Sequence, residues 1–204
     1  MRIPYAGFAA IVLLAACGGG GGGGGTSGGP PPGPTPTPSP AAVYLPLAVG
    51  NTWAYDCGGG VTKTNTVTQA VVAGGRTTFA YAEQIPSPSG TTTQTLLLAN
   101  DASGNTTLYG YLVNGSAQAV SPTLLIAASP AVNQHFDYPA PDGSIVSRYF
   151  RAFDHTNPTK LGTFAVAVYY ESNGQHNYGY TLGTGVTEED QAPYDCTITS
   201  YTLH

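Results

Sequence analysis

From Val43 onward, short runs of Thr, Val, Tyr and Phe are interrupted again and again by Gly, Asn, Pro or Asp pairs. That punctuation admits hairpins and excludes long helices, since Asn-Gly and Asp-Gly tips between alternating runs are the strongest local hairpin signal. The runs predict strands over 51–57, 61–73, 76–84, 91–99, 106–113, 144–153, 163–171, 176–182 and 194–203. Several alternate with period two: Phe164, Val166, Val168 and Tyr170 oppose Ala165, Ala167 and Tyr169, and Trp53, Tyr55 and Cys57 oppose Thr52, Ala54 and Asp56. Such alternation describes an antiparallel sheet with one packed and one wetter face. Composition agrees. With 14 Tyr, 28 Gly and one Met, the chain is rich in strand and turn formers and poor in helix formers.

The one stretch with helical character is Ser121 to Ala131, where Leu124 to Ala128 run together between Pro122 and Pro130. The prolines limit it to two turns of helix or a buried strand. An all-β fold follows, a single curved antiparallel meander, with a β-sandwich as the alternative. Charged residues are only 8% of the chain and net charge is -5. The six basic residues form no stripe, which excludes a nucleic-acid partner, because phosphate neutralisation needs clustered Lys and Arg.

Residues 1–16 read as an export signal, with Arg2 at its start and an apolar stretch, Phe8 to Leu14, too short to cross a bilayer. The following Leu14-Ala15-Ala16-Cys17 resembles the bacterial lipobox. That resemblance implies cleavage before Cys17 and acylation of its sulfur and new amino group, which anchors the chain stably because each buried CH₂ contributes roughly 0.8 kcal/mol. Gly18 in place of Asp implies delivery to the outer membrane. Residues 17–42 then form a tether: eight consecutive glycines from Gly18, followed by a Pro-rich spacer ending in Thr35-Pro36-Thr37-Pro38-Ser39-Pro40. The glycine run is no phosphate loop, since no Lys follows it before Lys63. Residues 43–204 are the folded domain.

Tyr44-Leu45-Pro46-Leu47-Ala48-Val49-Gly50-Asn51-Thr52-Trp53-Ala54-Tyr55 resembles the Y-x-P-L-x-V-G-N-x-W-x-Y domain start of a group of uncharacterised bacterial lipoproteins. Gly162-Thr163-Phe164 and the run from Tyr178 to Val186 are similar to the group's G-T-F and Y-x-x-G-x-G-V tail, with Gly179 where the group carries Trp. The resemblance implies a half-open antiparallel β-barrel, similar to the lipoprotein-carrier folds of the bacterial envelope. It implies no activity.

A search for chemistry finds no HExxH, Cys-x-x-Cys or Gly-x-Ser-x-Gly. His135 and Asp137 share one strand face, and Asp154 neighbours His155, so a metal site or a general base is conceivable there. Solvated surface residues are the simpler reading. Glu188-Glu189-Asp190 reads as a solvated acidic turn, without the alternating oxygens of a calcium loop. The aromatic set Trp53, Tyr55, Tyr178 and Tyr180 is the candidate ligand surface, with packing of the sheet's own core as the alternative.

These residues predict a lipid-anchored, non-enzymatic envelope protein without a cofactor, binding an apolar ligand or an envelope partner on a concave β surface. The competing readings are a hydrolase using His135, Asp137, Asp154 and His155, and a structural or adhesive surface module. With Cys17 lipidated, Cys57 and Cys196 remain, an even number in an oxidising compartment. Each follows a Tyr-Asp pair near the first or last strand, so a disulfide joining the two ends of the domain is expected.

Overall fold

The structure is a computed structural model that describes residues 42–171 and 176–204. The leader, nearly all of the tether and Cys17 lie outside the described residues, as does the side chain of Asp154. Thirteen strands are described and no helix: Thr52–Asp56 (β1), Thr62–Ala73 (β2), Arg76–Ser87 (β3), Gly90–Asn100 (β4), Thr106–Val113 (β5), Ser116–Ile126 (β6), Tyr138–Pro139 (β7), Ile145–Val146 (β8), Arg148–Thr159 (β9), Gly162–Glu171 (β10), His176–Thr181 (β11), Gly185–Gln191 (β12) and Tyr194–Thr202 (β13). Turn chemistry sets the breaks. Asn114 and Gly115, for example, both hold positive φ (50° and 79°), which the tight hairpin between β5 and β6 requires.

Eleven strands form one antiparallel sheet in the order β6-β5-β4-β3-β2-β1-β13-β12-β11-β10-β9, and β7 pairs with β8 in a small hairpin. The sheet therefore consists of two meanders, β1 to β6 and β9 to β13, that meet along the β1–β13 seam. It curls far enough for β6 to touch β2 and for β9 to touch β13, but β6 and β9 do not pair and no barrel closes among the described residues. The fold is thus the curved open sheet and not the sandwich. One apolar cluster fills the concave side, built from Leu45, Trp53, Leu98, Leu108, Ile126, Phe150, Tyr169 and Ile198. All eight are nearly or fully buried.

Of the two readings of Ser121 to Ala131, the strand holds for Ser121 to Ile126, the second half of β6; Pro122 is tolerated there because β6 is an edge strand and its register with β5 shifts between Ala119 and Thr123. One expectation needs correction. Glu188-Glu189-Asp190 is not a solvated turn but the middle of β12, where alternation turns Glu189 inward to 1% exposure.

The disulfide between Cys57 and Cys196 is present, with Cα atoms 3.8 Å apart. That is closer than the usual 4.4–6.8 Å. The two cysteines abut because β1 and β13 are direct neighbours, with Asp56 opposite Thr197.

Hydrogen bonds also clasp the start of the folded domain to the turn before β12 and to the first residues of that strand. The Trp53 indole donates to the Thr184 carbonyl at 2.6 Å, the Tyr55 hydroxyl donates to Val186 O at 2.9 Å, and Gly183 N donates to Val43 O at 2.8 Å. Gly185 holds φ +109°, and a Cβ there would sit 2.5 Å from Trp53 Nε1, so only glycine fits beneath that ring.

Candidate binding cavity

A cavity of about 440 Å³ opens on the concave face, between the large sheet and the β7–β8 hairpin. That volume lies in the range of small-molecule sites. The lining is aliphatic in part, from Leu45, Leu96, Leu98 and Leu125, while Tyr81, Tyr138, Tyr178 and Tyr180 add rings. The hairpin is fixed at both sides: Tyr111 donates to Pro139 O at 2.7 Å, and Tyr138 donates to Glu171 Oε1 at 2.6 Å.

The lining also carries charge. Arg148, at the start of β9, donates from Nε to Glu171 Oε1 at 3.0 Å, with Nη2 of the same guanidinium 2.8 Å from that oxygen. Its Nη1 donates to the Tyr180 hydroxyl at 3.4 Å, and the guanidinium lies 4.6 Å from the Tyr178 ring centroid. His176 Nδ1 stands 3.7 Å from the other Glu171 oxygen. Burial works to raise the Glu171 carboxyl, but the Arg148 charge and the hydrogen bonds from His176 and Tyr138 outweigh it and hold the group down at about 2.

A second ion pair lies deeper, where Lys63 of β2 meets Glu189 of β12 across the intervening Tyr55 and β13. The Lys63 ammonium also donates to Gln84 O at 3.1 Å and sits 5.1 Å from the Tyr55 ring centroid. Glu189 Oε2 is buried with no hydrogen-bond partner. Glu83 of β3 lines the cavity at 6% exposure and has no side-chain hydrogen bond or ion pair among the described residues. Burial, reinforced by the charge of Glu189, pushes its carboxyl up to about 7 against the pull of Lys63.

These shifts set the response to pH. Between pH 4.5 and 7 folded Glu83 binds more protons than the unfolded chain does, so stability falls as pH rises through that window. The shift from 4.5 to about 7 corresponds to about 3 kcal/mol. Glu171 acts in the opposite sense below that window: its contribution is full above pH 4.5 and is lost as pH drops toward 2. Urea midpoints are therefore expected to be highest near pH 4.5–5 and to decline toward pH 8. Asp190 and Glu189, whose carboxyls burial also raises, add to the decline, so Glu83→Gln is expected to reduce it without abolishing it; a decline of full size in that variant refutes the assignment.

The predicted ligand aromatics divide. Tyr178 and Tyr180 line the cavity, on one face of β11. Trp53 and Tyr55 are sealed in the core, 0% and 1% exposed, because their polar atoms are spent on Thr184 and Val186. Trp53 packs edge-on against Tyr81 at 5.8 Å between centroids, so it supports the cavity wall from behind.

His135 and Asp137 lie outside the strands, so they share no strand face, and they do not meet His155. His135 and Asp137 are exposed, with Nδ1 and Oδ1 3.9 Å apart, and the Ser147 hydroxyl donates to Asp137 at 2.6 Å. His155 lies elsewhere: His135 bridges to Tyr149, and His155 is six residues further along β9, roughly 20 Å at the rise of a strand. It meets Glu188 Oε2 at 3.1 Å in a depression of about 340 Å³ that Arg151 and Tyr170 also line. No group of three His, Cys, Asp or Glu placed to hold a metal occurs among the described residues.

The residues that sequence reasoning passed over are Lys63, Tyr81, Glu83, Tyr138, Arg148 and Glu171, and it misread Glu189. A signal for the four charged ones existed. In a chain with so few charges, Lys63, Glu83, Arg148 and Glu171 each fall inside a predicted strand. Comparison with family models, with curated proteins and with solved structures gives no match.

Proposed function

We propose that the chain is a lipid-anchored envelope protein that binds an amphiphilic small molecule in the concave cavity, without catalysing a reaction. The observation that carries this reading is the mixed lining: leucines and tyrosines together with the charged side chains of Glu83 and Arg148. Such a cavity matches a ligand with an apolar body and a polar head, since apolar lining with a few placed polar groups is the usual make-up of a small-molecule site. Support for the anchor comes from Leu14-Ala15-Ala16-Cys17 and the glycine run behind it. In this reading Cys17 carries the acyl chains, residues 18–42 give a reach of at most about 80–90 Å, and the membrane is the outer membrane.

Mass spectrometry of the full chain purified from membranes tests both parts. The N-terminal peptide is expected to start at Cys17 and to carry acyl mass. Solvent extracts of wild type are expected to contain an amphiphile that is missing from Ala140→Trp, a substitution at the lining of the cavity. An unacylated N-terminus removes the anchor. Identical extracts from the two proteins remove the ligand.

A further inference from the structure

The buried charges of the described residues do not balance. Five ionisable side chains of Lys, Arg, Asp and Glu are buried: Lys63, Arg148, Glu83, Glu171 and Glu189. Lys63 pairs with Glu189 and Arg148 with Glu171. Glu83 is left over, and it lines the cavity. A buried carboxylate without a partner is costly, and the cost is relieved by a proton or by a cation brought in from outside.

Among the described residues that line this cavity, an anionic head group finds no free cation. The Arg148 guanidinium is engaged with Glu171 and Tyr180 and lies against the Tyr178 ring. Asp142, exposed and also part of the lining, adds another negative charge. Tyrosines suit a cation as well, because the face of an aromatic ring attracts ammonium groups. Tyr81 shares the lining with Glu83, whereas Tyr178 and Tyr180 already face the Arg148 guanidinium. His176 also reaches the cavity, but it faces Glu171 at 3.7 Å.

Building on the proposed function, we infer that the ligand is a cationic amphiphile, an organic ammonium with an apolar tail, and that Glu83 is the counter-ion of its head group. The tail then lies along Leu45, Leu96 and Leu98. A cation held there lowers the Glu83 carboxyl from its raised range, because the carboxylate is the form that a cation stabilises.

The test is calorimetric titration of the full chain in zwitterionic nanodiscs at pH 8, with empty discs subtracted. Three probes share one tail: hexyltrimethylammonium, hexanol and hexanoate. The cation is expected to bind at least tenfold more tightly than hexanol, and hexanoate more weakly than hexanol. Glu83→Gln is expected to bring the cation to the affinity of hexanol, and His155→Gln, outside the cavity, to leave the preference intact. Equal affinity of wild type for the cation and hexanol overturns the inference, and so does a preference that survives Glu83→Gln. Binding of none of the three overturns the ligand-binding reading as a whole.

Discussion

Reduction of the Cys57–Cys196 disulfide is expected to cost close to 5 kcal/mol of stability. The two cysteines are 139 residues apart. In the chain-entropy model a 100-residue loop already corresponds to about 4.7 kcal/mol, and the cost rises only slowly beyond that. For a domain of typical stability, about 5–15 kcal/mol, this is a third or more of the total. The strands themselves remain able to pair, so the reduced protein is expected to fold with a much lower urea midpoint. The measurement is a pair of denaturation curves with and without reductant, with the thiols counted by alkylation. An unchanged midpoint with both thiols free refutes the argument.

Arg148→Met carries the second large effect. It leaves Glu171 buried beside the Tyr138 hydroxyl and His176 with no strong cation to answer its charge. Removing one partner of a buried pair typically costs about 3–5 kcal/mol. Replacing both partners by apolar groups of similar volume is often neutral. Arg148→Met with Glu171→Leu is therefore expected to regain more than half of the loss of the single variant. Chemical denaturation of wild type, the single variant and the double variant decides it. A double variant no more stable than the single one shows that the site tolerates no apolar filling.

The legibility of this fold in the sequence has a physical pattern. Strands such as 106–113 and 176–182 are readable because their alternation and turn residues agree locally with the final sheet. The first half of β6, Ser116-Ala117-Gln118-Ala119-Val120, is mostly small and polar and has little strand propensity, so its pairing with β5 decides its conformation. Glu189 is hidden for a different reason. Three successive acids look solvated unless the cation that awaits one of them is known, and Lys63 lies far away in sequence. Of the aromatic residues that line the cavity, Tyr178 and Tyr180 are legible and Tyr81 and Tyr138 are not, and alternation alone does not separate Trp53 and Tyr55, which seal the core, from the rings that face the cavity.

The seam between β1 and β13 has a consequence for the order of assembly. Every other pairing in the large sheet joins strands adjacent in sequence, so each meander is able to grow hairpin by hairpin from local contacts. Contacts that are local in sequence form fast, while distant ones wait for loop closure. The whole delay therefore falls on one event, the docking of the two finished halves along β1 and β13. Because closure cost rises by only about 0.6 kcal/mol for each doubling of loop length, the connection between β6 and β9 is free to lengthen in evolution at little thermodynamic penalty. Variation in that connection, which includes the β7–β8 hairpin over the cavity, alters what the hairpin presents to a ligand without disturbing how the two halves find each other.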